Sequence, residues 1–253
     1  MKKCKIATQC YTLRDYMHTP GQVDRSFAKL REIGFEAVQI SGVAADPKDV
    51  KKFADKNGLT ICATHESGDA ILTNIDSVIE KLDLYDCKHT AFPCPFGWQV
   101  VDYATTVDLA KTLDEAAVKM AAAGKTLSYH NHNTEFRKIN GKPILDIIFE
   151  NAPHLQAEID TYWIQMGGCN PTEYVKKYAG RQTIFHLKDF GVLYPNQSIM
   201  VPVGSGNLDW NSILPAAEAA GVEWYIIEQD TCHKCPFESM KDSFDYLMKN
   251  FVK

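Results

Sequence analysis

Eight short segments rich in β-branched, aromatic and aliphatic residues recur along the chain, each separated from the next by a stretch with helical spacing. They are Lys5–Tyr11, Glu36–Ser41, Thr60–His65, His89–Pro95, Thr126–His132, Leu155–Trp163, Thr183–Phe190 and Glu223–Asp230. Strands that alternate with helices throughout imply parallel βαβ units, because parallel neighbours need a crossover between them. Eight such units in 253 residues suit a (β/α)8 TIM barrel, which takes roughly 250 residues. The expectation is one α/β barrel over residues 1–253, with a doubly wound open sheet as the competing arrangement.

The intervening stretches support this. Val107, Ala110, Leu113, Ala117 and Ala121 fall three and four apart and predict one apolar helix face, as do Phe237, Met240, Phe244, Leu247 and Phe251. Gly34, Gly58, Gly124, Gly180 and Gly221 each stand just before a strand, where a left-handed residue ends a helix. Gly191–Asn207, with three glycines besides Pro195 and Pro202, reads as a long loop with room for a short hairpin. Asp209 before Trp210 reads as a helix cap.

Polar residues gather at the expected C-terminal strand ends, where barrels of this kind build their sites. These ends read Thr64-His65-Glu66, His130-Asn131-His132, Glu158-Ile159-Asp160, His186-Leu187-Lys188-Asp189 and Glu228-Gln229-Asp230. One such residue is ordinarily a cap or a hydrogen-bonded structural group. Five strand ends brought to one rim would crowd carboxylates together, and that crowding calls for a cation or protons. Mixed Asp, Glu and His donors without a thiolate suit one divalent ion such as Mn, Mg, Co or Zn.

In that order these segments resemble the sugar phosphate isomerase/epimerase family, the xylose-isomerase-like barrels that include ketose 3-epimerases and inosose dehydratases. The resemblance rests on Tyr129-His130-Asn131-His132-Asn133-Thr134-Glu135-Phe136, Glu158-Ile159-Asp160-Thr161-Tyr162-Trp163, His186-Leu187-Lys188-Asp189, Gly204-Ser205-Gly206-Asn207-Leu208-Asp209-Trp210 and Tyr225-Ile226-Ile227-Glu228-Gln229-Asp230. It implies a divalent cation held from strands five to eight, with Asp160, His186 and Glu228 as the last three ligands. Glu135 is expected as the strand-five ligand, with His130 or His132 as the alternative.

The resemblance also implies proton transfer beside the carbonyl of a small keto sugar through an enediolate. Glu228 and His132 are the expected proton-transfer groups. Lys188 is expected to donate to a substrate oxygen, against a simple ion pair with Asp189. His65, His130 and Trp163 are expected at the substrate, with Phe96–Trp98 as a further apolar wall. The same site also suits a lyase, by dehydration or 3-keto-glycoside cleavage. Gly204-Ser205-Gly206 is a weak candidate for a phosphate cradle.

Charge bears on the remaining classes. Lys and Arg number 27 against 32 Asp and Glu, a net −5, and the strand ends carry no basic clusters. That argues against nucleic acid, and so against an abasic-site endonuclease. Retention of Asp160, His186 and Glu228 argues against a non-catalytic barrel. No signal-like or membrane-length apolar run is evident, so a cytoplasmic protein with reduced cysteines is expected. Cys232 and Cys235 form a lone CxxC with no second pair for a structural zinc. Assembly as a homo-oligomer is compatible with the sequence.

Overall fold

In the computed structural model, which describes residues 1–252, all eight expected strands form and close into one parallel barrel. They are β1 (Ile6–Gln9), β2 (Ala37–Ile40), β3 (Thr60–His65), β4 (His89–Phe92), β5 (Thr126–His130), β6 (Gln156–Asp160), β7 (Ile184–Leu187) and β8 (Trp224–Ile227). Chain order is ring order, and closure is the pairing of Ile6, Ala7 and Thr8 with Tyr225, Ile226 and Ile227. That pairing excludes the open sheet.

Alternation along each strand divides the side chains between two cores. Outward residues such as Val38, Tyr129, Ile159 and Phe185 pack under the helices in the larger core. Inside the barrel, Ala7, Ala37, Cys62, Ile184 and Ile226 form a small apolar floor. Above that floor the inward positions turn polar, with Gln39, His130, Glu158 and His186 all buried. The barrel is therefore sealed below and polar towards the C-terminal strand ends.

Several strands end earlier than expected, for local reasons. β6 stops at Asp160 because its carboxylate accepts the Trp163 N–H at 3.1 Å and caps the helix Thr161–Met166. β7 stops at Leu187, and Asp189–Leu193 pairs antiparallel with Gln197–Val201, so the loop expected here is largely a hairpin. On the helix Tyr103–Ala122 the buried stripe is Thr106, Leu109, Ala110, Leu113, Ala116, Ala117 and Met120. Ala121 faces solvent and Val107 is half-buried, one step from the expected face. Gly34 ends its helix with φ 119°, and a Cβ there would meet the Phe244 ring at 2.9 Å.

The segment Gly204–Trp210 is tied down by one carboxylate. Fully buried Asp189 accepts the N–H groups of Phe190 and Leu208 through Oδ1, at 2.8 and 3.3 Å. Its Oδ2 accepts from the Gly204 and Gly206 amides and the Trp210 indole, at 2.8, 3.1 and 2.8 Å. A Cβ on Gly206 would lie 2.5 Å from Asp189 Oδ1. The Gly-Ser-Gly turn thus surrounds a side chain of its own protein and not a phosphate. Asp209, as expected, caps the next helix by accepting the Ser212 N–H at 3.3 Å.

Among the described residues no helix is long and apolar enough to cross a membrane. Cys10, Cys62 and Cys87 are buried free thiols, and Cys232 and Cys235 are unpaired and outside the ligand clusters found among the described residues. The Cys4 side chain lies outside the described residues.

Asp189→Asn replaces one of two acceptor oxygens with a donor that faces other donors. The expected loss is about 2–3 kcal/mol, or a fall in Tm of about 4–12 °C for a chain of this length. Thermal unfolding checks it.

Candidate metal centre and active site

The polar residues above the barrel floor form two tiers. Strand alternation places Glu158 and Asp160 on the same inward face of β6, with Glu158 one layer deeper. The lower tier gathers on Glu158. Its Oε1 meets His65 Nε2 in a short contact, His186 Nε2 at 3.0 Å and His130 Nδ1 at 3.2 Å. Its Oε2 accepts from Gln39 Nε2 at 3.0 Å. Burial works to raise the Glu158 carboxyl, but the His65 and His186 rings against it hold it well below the usual carboxylate range.

The upper tier forms the rim. His130, Asp160, His186 and Glu228 each bring one ligand atom, all within 4.8 Å of one another. His186 Nδ1 lies 2.8 Å from Glu228 Oε2 and 3.9 Å from Asp160 Oδ2, and His130 Nε2 also lies 3.9 Å from Asp160 Oδ2. Donors around a cation bound at about 2.1 Å in a tetrahedron stand about 3.4 Å apart, so the spacing is right.

Lys188 is the resident cation. Its ammonium, 1% exposed, lies 2.9 Å from Glu228 Oε2, 3.0 Å from Asp160 Oδ2 and 3.2 Å from Asp230. The alternative expected for it, an ion pair with Asp189, does not form; Asp189 points the other way into the amide cage. Burial disfavours the charged lysine, yet Asp160, Glu228 and Asp230 hold its proton more tightly than usual. Burial likewise opposes charge on His186, but Glu158 and Glu228 raise it to about 10. Burial works to raise Glu228, while Lys188 and His186 hold it well below the usual range. Asp160 is raised by burial to about 6, with Lys188 and His186 opposing.

The donor set fits a divalent cation. Asp160 Oδ2 is buried with no aligned hydrogen bond, although Lys188 is near. Two imidazoles and two carboxylates suit first-row divalent metals.

Glu135 is a correction to the expected ligand set. It is buried, but Oε1 accepts from the Tyr129 hydroxyl at 2.9 Å and Oε2 from the His132 amide at 2.9 Å and the Thr134 hydroxyl at 3.0 Å. Tyr129 is an outward residue whose ring packs between Phe92 and Phe149. A short 3-10 turn over Thr134–Phe136 carries Glu135 to that outer side. His130, the alternative for the position, is the strand-five residue that reaches the cluster.

A cavity of about 420 Å³ opens over the rim, lined by His65, His130, His132, Glu228 and Asp230 together with Tyr11. His132 is half-buried there, its ring 5.2 Å from Trp163 and 5.0 Å from His130. Burial, with Lys188 nearby, lowers its pKa to about 4. Trp163 stands against the Lys188 ammonium, 5.4 Å from its ring centroid. His65 contributes to the cavity wall while its Nε2 is committed to Glu158. Phe96 and Trp98 stack on each other, 50% and 68% exposed, over a separate groove with Leu72 and Leu109. They do not wall this cavity. A larger groove of about 920 Å³ runs outside the barrel between Pro171–Lys177 and Trp210–Ala219, and no buried cluster of ligand atoms lies in it.

Gln39 joins the cluster without having been singled out from the sequence, and Glu158 and Asp230, read there only as strand-end residues, had no role assigned. For Gln39 a signal exists: a lone amide at an inward position of the apolar strand Ala37–Ile40.

Residues 27–249, a span taking in β2 through β8, match one known family along their whole length. The chain belongs to the xylose isomerase-like TIM barrels. Two solved sugar phosphate isomerase/epimerases from Parabacteroides distasonis share the fold over nearly the whole chain. One is 24% identical with a TM-score of 0.82, covering 98% of this chain and 99% of its own. The other is 20% identical with a TM-score of 0.84, covering 100% and 96%. An L-ribulose 3-epimerase is 15% identical with a TM-score of 0.73, covering 98% and 93%. No curated protein matches the sequence significantly. At these identities the shared property is the xylose isomerase-like fold.

Glu135→Gln is expected to keep the geometry of the rim and any cation affinity unchanged, while lowering stability by about 1–3 kcal/mol as an amide meets donors in place of a carboxylate oxygen. Parallel thermal unfolding and cation titrations check both halves.

Proposed function

We propose that this xylose isomerase-like barrel is a divalent-cation-dependent isomerase or epimerase, moving a proton beside the carbonyl of a small keto sugar. The observation that carries the reading is the convergence of His130, Asp160, His186 and Glu228 beneath a cavity bounded by His132. The isomerase and epimerase names of structurally similar barrels are consistent with it.

His130, Asp160, His186 and Glu228 hold the cation in this reading. Bound there, a divalent ion supplies Lewis-acid polarisation of a carbonyl and its neighbouring hydroxyl. The protein's own groups move the proton. His132 enters neutral, since its pKa lies near 4, and accepts the proton from carbon. Return from the same side to the neighbouring carbon, with the hydroxyl proton passing to the former carbonyl oxygen, isomerises the sugar. β5 and β8 stand three positions apart in a ring of eight, so Glu228 faces the substrate from across the mouth. Return of a solvent-derived proton from that side, by way of Glu228, inverts the centre, and His132 gives its own proton up to solvent. Lys188 donates to substrate oxygen, and the Trp163 ring covers one edge of the carbon skeleton.

The test is a panel of keto sugars incubated in deuterated water with the cation-loaded protein and followed by NMR. Deuterium is expected at one carbon. Exchange that needs no cation overturns the reading, and release of water or a fragment would move the chain to the lyases. His132→Gln is expected to keep the cation and lose about 10²–10⁴-fold in turnover. Asp160→Asn and Glu228→Gln are expected to lose the cation.

Cation affinity should also depend on pH. His186 carries a proton up to about 10 in the metal-free protein, and a cation must displace it. Affinity is therefore expected to rise with pH by up to about tenfold per unit, levelling near that value. Titrations in buffers of differing ionisation enthalpy read the released proton directly.

A further inference from the structure

Each of the two histidines shared by the tiers presents a different nitrogen downward. His130 turns Nδ1 to Glu158 Oε1 at 3.2 Å and Nε2 to the rim, 3.9 Å from Asp160 Oδ2. His186 turns Nε2 to Glu158 Oε1 at 3.0 Å and Nδ1 to the rim, 2.8 Å from Glu228 Oε2. A neutral imidazole has one N–H and one lone pair, so the group that claims the N–H decides where the lone pair points.

We propose that Glu158 is a positioning residue that fixes both tautomers at once. Its Oε1 faces Nδ1 of His130, and the Gln39 amide that it orients accepts Nε2–H from His186; with both N–H groups drawn downward, the other two nitrogens are free to bind a cation beside Asp160 and Glu228. The inference rests on the reading that these two histidines hold the cation, and adds how they are made ready for it. At His186 the Gln39 amide takes part with it. Gln39 donates Nε2 to Glu158 at 3.0 Å, which leaves its Oε1 facing His186 Nε2 at 2.7 Å, and an oxygen there requires an N–H. His130 Nδ1 has no aligned hydrogen bond, and Glu158 Oε1 at 3.2 Å is the acceptor that it faces.

The lower tier offers a competing use. His65, His130, Glu158 and His186 also bring ligand atoms within 4.8 Å of one another. A cation there would need both lone pairs turned downward, one of them against Gln39 Oε1. A cation in each tier would need both rings as imidazolates. Turning both ring N–H groups down, to Glu158 and the Gln39 amide, avoids both costs.

The experiment uses zinc alone on the full chain, with affinity and stoichiometry from competition with a chromophoric chelator. Long-range ¹H–¹⁵N NMR of the zinc-loaded protein gives the histidine tautomers. Wild type is expected to bind one zinc, with His130 protonated at Nδ1 and His186 at Nε2. Glu158→Gln is expected to lose about 10–100-fold in affinity and to show mixed tautomers at both rings. Gln39→Ala is expected to disturb His186 alone. Two zinc ions per chain, or a Glu158→Gln variant indistinguishable from wild type, overturns this inference while leaving the proposed cation site standing. Reversed tautomers would put the cation in the lower tier and overturn the rim site as well. A wild type that takes up no zinc overturns both. If Glu158→Gln does not fold, the wild-type tautomers decide the matter alone.

Discussion

Four carboxylates, Glu158, Asp160, Glu228 and Asp230, share one barrel mouth, the first three of them buried. Two unit charges 4 Å apart repel by about 4 kcal/mol at an effective dielectric of 20, so the group is tenable only with positive charge inside it. The Lys188 ammonium supplies one such charge and His186 another. Everything above the barrel floor depends on this neutralisation, because without it the strand ends that carry the carboxylates would be pushed apart. A site that already balances its charge with protons can exchange them for a metal ion without being rebuilt.

The sequence places opposite duties on adjacent residues at the end of β7. His186 faces inward to the cluster, Lys188 does the same two residues on, and Asp189, the first residue of the hairpin, turns outward into the amide cage of Gly204–Trp210. Strand parity alone produces this division. It means that the rim charge and the rigidity of the nearest long loop are set within four residues.

The fold was legible because it is periodic. The eight strands and the glycines after the helices follow from spacing, and so do the inward residues at the ends of β6 to β8. Legibility fails where the chain leaves its period. Past His130 the run no longer alternates, and a single 3-10 turn sends Glu135 to the outer side with Tyr129. Asp189 had nothing local to mark it as the anchor of a segment 15 to 21 residues away. Phe96 and Trp98 looked like walls of the mouth because aromatic residues near a rim often are, yet the loop after β4 carries them outward. Glu158 stood in plain view beside Asp160, but its use depends on three rings from three other strands.

Asp160 divides its two oxygens between different neighbours. Oδ1 caps the helix Thr161–Met166 through the Trp163 amide, and Oδ2 faces the rim. The indole of Trp163 rides on that first helical turn, with the Lys188 ammonium over its face and His132 beside it. Whatever changes the charge beside Oδ2 therefore alters the surroundings of a fluorophore attached one turn away. The barrel has an optical probe built into its mouth, whose emission can follow events at the rim without any label.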